Sequence, residues 1–176
     1  TPSLPSIRQL LTENKTIVPH SVTFWSRKLN YTITKTHWEL AKEVTKEARL
    51  QVLQWKILHN IFPTPILLNK MGITESRNCN SCKEVDYIEH FFVNCKEVEP
   101  LWKEVTKTVN SLTGKCINIS TEIALFGYFE SKLSKKLKDN INHIILIAKM
   151  CISKFKYGKG YDLLTMFDKE CKLRNI

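Results

Sequence analysis

Apolar side chains recur at intervals of three and four residues through most of this chain, which is the spacing of one face of an α-helix. Val98, Leu101, Val105 and Val109 follow this spacing without interruption within residues 97–112. Helix breakers are scarce, because the 176 residues include only five Gly and six Pro. The pattern therefore predicts an all-α fold.

The same period indicates where the helices lie. A long central helix is expected over residues 36–60, with apolar side chains on two faces, and it should end before Pro63 and Pro65 because proline cannot donate a helical N–H. Further helices are predicted at residues 5–13, 21–31, 66–70, 97–112, 134–157 and 162–173. We divide the chain into an N-terminal arm or linker with short helices over residues 1–35 and a single helical domain over residues 36–176.

Four potential metal ligands lie close together between these helices. Cys79, Cys82, His90 and Cys95 form the pattern C-x2-C-x7-H-x4-C, and two thiolates separated by two residues on a turn can bind one zinc ion. Four protein ligands would leave no position for a catalytic water, so the predicted Zn²⁺ is structural. The alternative is that these side chains are neighbours by accident and bind no metal. The spacing favours a zinc knuckle over residues 79–95.

The other three cysteines, Cys116, Cys151 and Cys171, follow no ligand spacing and are expected to be small core or surface thiols. Clustering of half of the six cysteines with a histidine is untypical of secreted domains held by disulfides, so a reducing compartment is favoured. Apolar runs are interrupted well before the ~20 residues needed to cross a bilayer. With no initiator Met and no secretory signal, we expect a soluble piece of a longer polypeptide, without membrane association.

The net charge is +10, and it is unevenly distributed. Residues 1–74 carry +6 and residues 105–176 carry +7, whereas residues 75–104, which contain the cysteine cluster, carry −3. Basic helices attract phosphate, so the two flanks are candidates for nucleic-acid binding. The alternative is that these lysines only keep the helices solvated. Because the cluster is acidic, its metal is expected to brace the flanking helices, with Phe91 and Phe92 in the core.

The candidate nucleic-acid contacts belong to two groups. On the central helix they are Lys46, Arg49 and Lys56, whose spacing of three and seven predicts one shared face. On and beside the helix at residues 134–157 they are Lys132, Lys135, Lys136, Lys138, Lys149, Lys154, Lys156, Lys159 and Tyr157. Tyr128 and Tyr161 are further candidates for stacking on bases.

Catalytic signatures are missing from the sequence. The four Asp residues are scattered with no adjacent pair, so the two-carboxylate arrangement that holds catalytic Mg²⁺ in polymerases is absent, and there is no Gly-rich phosphate loop. No catalytic residue is assigned, and we expect this fragment not to be an enzyme. A metal-dependent nuclease that uses His90 or His143 is the remaining enzymatic alternative.

Several segments resemble the Cys/His region that follows the reverse transcriptase in LINE-type non-LTR retrotransposon polyproteins. The likeness lies in RLQVLQWKILHNIFPTPILLNKMGI, the cysteine cluster and EHFFVNCKEVEPLWKEV over residues 49–105, and in ALFGYF and NHIILIAKMCISKFK further on, so that it covers residues 24–174. The four cluster residues fall on the family's knuckle positions, and Lys149 falls on the lysine of its Ala-Lys.

This resemblance implies a non-catalytic C-terminal domain with a structural Zn²⁺ that holds template RNA near the polymerase during target-primed reverse transcription. Its partners would be RNA, an RNA–DNA hybrid or target DNA, together with the rest of the polyprotein, whose own activities are reverse transcriptase and endonuclease. It would be located in a cytoplasmic ribonucleoprotein and in the nucleus. The alternative is a protein-interaction domain that docks on the polymerase or on a host factor.

Overall fold

The computed structural model describes residues 18–158 and 160–175. Within this part of the chain the α-helices are α1 His20–Leu29, α2 Lys35–Val44, α3 Ala48–Leu58, α4 Pro65–Lys70, α5 Glu99–Thr113, α6 Thr121–Phe126, α7 Lys135–Tyr157 and α8 Leu163–Lys172. A π-helical turn, His90–Asn94, precedes α5. The described residues contain no β-strand and one isolated bridge, between Asn78 and Val85. The prediction of an all-α fold is confirmed, whereas the helix predicted at residues 5–13 lies outside the described residues.

Helix α7 occupies the centre of the fold. Every residue from Ile144 to Ile152 is buried, so the helix has no solvent-facing stripe in this stretch, and α2, α3, α5 and α8 all pack against it. Ser134 begins it as an N-cap, since the serine Oγ accepts a hydrogen bond from the N–H of Leu137. Helix α7 has 23 residues, but its apolar stretch is too short to cross a bilayer. The same is true of the other described helices.

The central helix predicted over residues 36–60 is two helices, α2 and α3, so that prediction is wrong. The chain turns extended at Thr45 (φ −145°, ψ 150°). Its hydroxyl accepts a hydrogen bond from the N–H of Glu47 at 3.1 Å, and its carbonyl accepts one from Gln51 Nε2 at 2.7 Å. These hydrogen bonds replace the helical ones at the break. Helices α2 and α3 pack against each other, and we call the break between them the corner.

Arg174, near the end of the chain, fixes this corner. Its guanidinium donates from Nε and Nη2 to the two carboxylate oxygens of Glu47, at 2.7 and 2.8 Å, and from Nη1 to Glu170 at 2.6 Å. The bidentate hydrogen bond from Arg174 holds the pKa of Glu47 at about 2, well below its usual value. The segment after α8 is thereby joined to the corner between α2 and α3.

Helix α1 belongs to the same core as the rest of the described chain. Trp25 is fully buried, its Nε1 donates to the carbonyl of Leu58 at 3.0 Å, and its ring meets Phe126 edge-on at 5.1 Å. Residues 18–35 therefore pack on the domain. The proposed arm over residues 1–35 stays a prediction for residues 1–17, which lie outside the described part.

Lys149 is the one predicted nucleic-acid contact that lies wholly inside the core. Its exposed fraction is 0%, and its ammonium donates to Gln54 Oε1 at 2.5 Å and to the carbonyl of Leu125 at 3.0 Å. It forms no ion pair among the described residues. Lys149 therefore joins α3, α6 and α7, and its assignment to nucleic-acid binding is corrected, because no phosphate can reach it in this fold. Burial lowers the pKa of Lys149 to about 7.

Replacing Lys149 with Met should change how stability depends on pH. Above a pH of about 7, Lys149 is mostly deprotonated in the folded protein. In the unfolded chain it stays protonated up to the ordinary pKa of a lysine. The free energy of unfolding of the parent protein should therefore rise with pH, by up to about 1.4 kcal/mol per pH unit from this group. Lys149→Met should abolish that contribution, and denaturant unfolding of both proteins at neutral and at alkaline pH measures it. If the free energy of unfolding depends on pH identically in the two proteins, Lys149 does not have a lowered pKa in the folded state.

Candidate metal centre and basic surface

A short hairpin over residues 77–86 presents the first two cysteines. The N–H of Cys79 donates to the carbonyl of Glu84 at 2.7 Å, and the N–H of Lys83 donates back to the carbonyl of Cys79 at 3.0 Å. Lys83 closes the turn in the left-handed region, with φ at +65°. Cys79 and Cys82 are thereby fixed on the same turn, as the C-x2-C spacing predicts.

The π-helical turn presents the other two ligands. The N–H of Cys95 donates to the carbonyl of His90 at 3.0 Å, five residues back, and this wider turn places both side chains on its inner side. Phe91 and Phe92 are buried in the core, with exposed fractions of 1% and 0%, and both rings contact Phe62. The expectation that these two phenylalanines are core residues is confirmed.

The four ligand atoms of Cys79, Cys82, His90 and Cys95 all lie within 4.8 Å of one another. The sulfurs of Cys79 and Cys95 are 3.9 Å apart, and the sulfur of Cys82 lies 3.1 Å from His90 Nε2. Tetrahedral zinc with Zn–S near 2.3 Å and Zn–N near 2.0 Å requires ligand separations of about 3.5–3.8 Å. The observed separations lie on both sides of this range, so the cluster could hold a metal ion after small shifts of these side chains.

Asp86 orients the histidine, and the sequence analysis missed it. Its Oδ1 lies 2.7 Å from His90 Nδ1, and both side chains are buried. A carboxylate that accepts from Nδ1–H fixes the tautomer in which Nε2 faces the thiols, as is common around zinc-binding histidines. The available signal was an Asp four residues before a His, a spacing that lets two side chains meet along a helical turn.

The two buried sulfurs differ in their tendency to ionise. Burial opposes the thiolate of Cys79, but backbone N–H groups of Cys82 and Ser81 donate to it and its pKa is lowered overall. For Cys95 burial outweighs the N–H of Glu97 and raises the pKa to about 11. A divalent cation would deprotonate both, which makes metal affinity dependent on pH.

Helix α1 also reaches this site. Lys28 Nζ lies 3.0 Å from the buried carboxylate of Glu89, next to His90, and 3.9 Å from the centre of the Tyr87 ring. An ion pair with one buried partner contributes more than a fully exposed pair, because water screens it less. The N-terminal helix therefore packs on the metal-binding turn as well as on the core.

Three of the predicted nucleic-acid contacts on α7 make contacts within the protein. Lys156 Nζ lies 3.5 Å from Asp86 Oδ2 and 3.8 Å from the sulfur of Cys79, with only 9% of its side chain exposed. Lys154 donates to Glu170 at 2.7 Å. Tyr157 is half exposed, and its hydroxyl donates to the carbonyl of Pro63. For Lys156 the prediction of a phosphate contact is corrected, because the ammonium is occupied next to the metal ligands.

The group predicted on the central helix is also divided. Lys46 lies in the connection between α2 and α3, so it does not share a helix face with Arg49 and Lys56 as the spacing had suggested. Arg49 Nη2 lies 2.9 Å from Glu47 Oε2, an oxygen that also accepts from Arg174. Lys56 is half-buried on α3. Lys159 lies outside the described residues.

The aromatic candidates separate in the same way. Tyr128 is 4% exposed, and its hydroxyl donates to Glu130 at 2.6 Å, so it is not available to stack on a base. Tyr161 is 55% exposed. His143 is half-buried, and its Nε2 lies 3.9 Å from Glu47 Oε1.

Most of the remaining lysines lie at or near the beginning of α7, where Lys132 Nζ is 3.7 Å from the carboxylate of Glu130. Lys135 Nζ lies 3.7 Å from Glu43 near the end of α2, three residues before Lys46, and Lys115 Nζ donates to the carbonyl of Lys132 at 3.4 Å. The tertiary structure thus joins residues from three parts of the chain. We call this the basic surface, and it comprises Lys46, Lys115, Lys132, Lys135, Lys136 and Lys138. The sequence analysis missed Lys115 because it lies in a loop with no periodic pattern.

A known protein family matches this chain. The family described as zinc-binding in reverse transcriptase matches residues 6–102, a stretch that includes all four metal ligands. No curated protein matches the chain.

Replacing a ligand cysteine should abolish metal binding, whereas replacing a cysteine outside the cluster should not. Cys95→Ser removes one of three sulfurs, and the loss of a structural metal should lower the thermal midpoint by at least several degrees. Cys116→Ser is the matched control, because Cys116 is exposed and is not in the cluster. Metal analysis should find one zinc per chain in the parent and the control and much less in Cys95→Ser. Equal zinc content in all three proteins would contradict the ligand assignment.

Proposed function

The chain belongs to the family of zinc-binding domains in reverse transcriptases, and from this premise we propose that it is a non-catalytic domain that binds one structural Zn²⁺ and holds RNA on its basic surface. The zinc would be held by Cys79, Cys82, His90 and Cys95. Four protein ligands complete a tetrahedral shell, so the ion supplies cross-linking of chain segments and offers no position for an activated water.

The metal would cross-link two short segments at the end of α7. The hairpin over residues 77–86 and the π-helical turn supply the ligands, and the end of α7 packs on both through Lys156 and Tyr157. A bound ion stabilises the folded state by the free energy of its binding, because the unfolded chain does not present the four ligands together. The cluster is acidic and mostly buried, which supports a structural role and argues against direct contact with phosphate.

The observation that carries the proposal of RNA binding is the position of the basic surface at the N-terminus of α7. No acidic residue lies in the first turn of this helix, and Lys135 and Lys136 begin it. The N-terminus of a helix carries partial positive charge, so lysines there are unfavourable for stability. Their charges and the free N–H groups together favour an anion, and a phosphate backbone supplies a row of them.

The metal centre and the basic surface lie at opposite ends of α7. From Lys136 to Lys156 the helix rises 1.5 Å per residue, which is about 30 Å. The zinc would therefore support RNA binding through the rigidity of the helix and its neighbours, and the surface that contacts RNA would not include the knuckle.

Beyond the family, we propose that this chain is part of a LINE-type non-LTR retrotransposon polyprotein. The support is the resemblance of residues 24–174 to the region that follows its reverse transcriptase. In that setting the domain would hold template RNA near the polymerase during target-primed reverse transcription, with an RNA–DNA hybrid or target DNA as further ligands. The rest of the polyprotein would be its partner, in a cytoplasmic ribonucleoprotein and in the nucleus.

A second candidate function is docking on the polymerase or on a host protein, and one feature of α3 favours it. Val52 and Trp55 lie on one face of this helix and are 49% and 50% exposed, and Ile61 just beyond it is 45% exposed. Neighbouring exposed apolar side chains are typical of protein contact sites. In this case the positive charge would serve only long-range attraction.

Neutralising the lysines at the beginning of α7 should weaken RNA binding more than neutralising lysines elsewhere. The test variant is Lys135→Gln, Lys136→Gln and Lys138→Gln. The matched control is Lys103→Gln, Lys107→Gln and Lys172→Gln, which removes the same charge from exposed side chains that pair with carboxylates. Filter binding of single-stranded RNA at several salt concentrations should show a log–log slope of about −2 to −6 for the parent.

The test variant should bind at least about tenfold more weakly, with a slope flatter by about 2, because three phosphate contacts are lost. The control should stay near the parent. If both variants lose RNA affinity equally, the RNA-binding surface is not localised at the beginning of α7. If the parent forms no saturable complex with RNA, docking on a protein is favoured.

A further inference from the structure

We propose that Lys156 is an outer-sphere partner of the metal centre, whose ammonium donates to the thiolate of Cys79 and protects it from electrophiles. This inference rests on the proposed binding of zinc. It assigns Lys156 a positioning role at the metal, in place of the nucleic-acid contact that the sequence suggested.

The contacts of Lys156 come from three directions. Its Nζ lies 3.8 Å from the sulfur of Cys79 and 3.5 Å from Asp86 Oδ2. It also lies 4.6 Å from the centre of the Phe91 ring, within the range of a cation–π interaction. With 9% of the side chain exposed, the ammonium has little access to solvent. A buried charge is tolerated when its partners carry compensating charge, and these partners do.

The charge of the filled site explains why a cation is needed there. Three thiolates, a neutral imidazole and Zn²⁺ leave one net negative charge, and the carboxylate of Asp86 adds a second next to it. Both lie in a region where Asp86 is 2% and Cys95 is 0% exposed, so water cannot offset them. The ammonium of Lys156 contacts the sulfur of Cys79 and the carboxylate together, and it removes one of the two charges.

Cys79 is the sulfur that this arrangement protects most. It accepts from the backbone N–H groups of Ser81 and Cys82 and lies within reach of Lys156. A thiolate is nucleophilic through its sulfur lone pair, and donors aimed at the sulfur withdraw electron density from it. Removing the ammonium should therefore make Cys79 more reactive and its bond to the metal easier to break.

The reaction used as a probe is alkylation by iodoacetamide. The sulfur of Cys79 attacks the methylene carbon, a C–S bond forms and iodide leaves with the electron pair of the C–I bond. The resulting neutral thioether is a poor zinc ligand, so Zn²⁺ is released and can be followed with a colorimetric chelator. The rate of release thus reports the reactivity of the ligand sulfurs without any measurement of activity.

The variants separate the charge of Lys156 from its bulk. Lys156→Met keeps the apolar stem without the charge, and Lys156→Arg restores a charge. Lys154→Met is the matched control, because Lys154 lies two residues earlier on α7 and pairs with Glu170 at 2.7 Å, away from the metal. If the methionine variant does not fold, Lys156→Gln replaces it. Zinc content is measured first in every protein.

The methionine variant should release zinc roughly tenfold faster than the parent, as expected for loss of a charge-assisted hydrogen bond. Peptide mapping should find Cys79 alkylated first. In the cobalt-substituted protein the thiolate-to-metal charge-transfer band should move to longer wavelength, because the sulfur becomes more electron-rich. Lys156→Arg and Lys154→Met should stay near the parent, and RNA affinity should be unchanged in Lys156→Met.

Release at the parent's rate from a zinc-loaded Lys156→Met protein would overturn this inference and leave the zinc site intact. Weaker RNA binding with unchanged release would return Lys156 to the nucleic-acid contacts. A parent protein without zinc would overturn the proposed metal centre together with this inference.

Discussion

Two lysines on α7, the buried Lys149 and the largely enclosed Lys156, take their hydrogen-bond acceptors from inside the protein, and these contacts join α7 to the surrounding elements. Lys149 takes its acceptors from α3 and from the end of α6, and Lys156, two turns further on, takes its partners from the hairpin that carries Cys79. A buried ammonium without acceptors would cost several kcal/mol. The core and the metal-binding segment are therefore fixed to one helix by polar contacts as well as by apolar packing.

This arrangement separates the two proposed functions along α7. The metal-binding end is acidic and mostly buried, and the proposed zinc there would cross-link the hairpin to the π-helical turn. The other end carries exposed lysines of the basic surface, joined by Lys46 and Lys115 from other parts of the chain. A rigid helix can transmit the effect of metal binding to the distant surface because both ends belong to the same packed core.

The prediction of one helix over residues 36–60 failed for an identifiable reason. Helical periodicity runs through the break at Thr45 without a Gly or Pro to mark it, and the bonds that replace the helical ones come from the Thr45 hydroxyl and the Gln51 side chain. The corner is then held by Arg174, more than a hundred residues away. Arg174 also donates to Glu170, the partner of Lys154, so that this carboxylate is shared between two cations.

The sequence by itself determined the all-α class, the bounds of α5 and α7 to within two residues, and the four candidate metal ligands. These features depend on local spacing: one period of 3.6 residues and one set of cysteine and histidine intervals. Only the tertiary structure decided which charged residues face solvent. Lys135, Lys149 and Lys156 share one helix and one residue type, yet one is exposed, one is buried in the core and one lies against a metal ligand. Their surroundings come from α2, α3 and the hairpin, and residues so distant in sequence leave no local pattern at the lysines themselves.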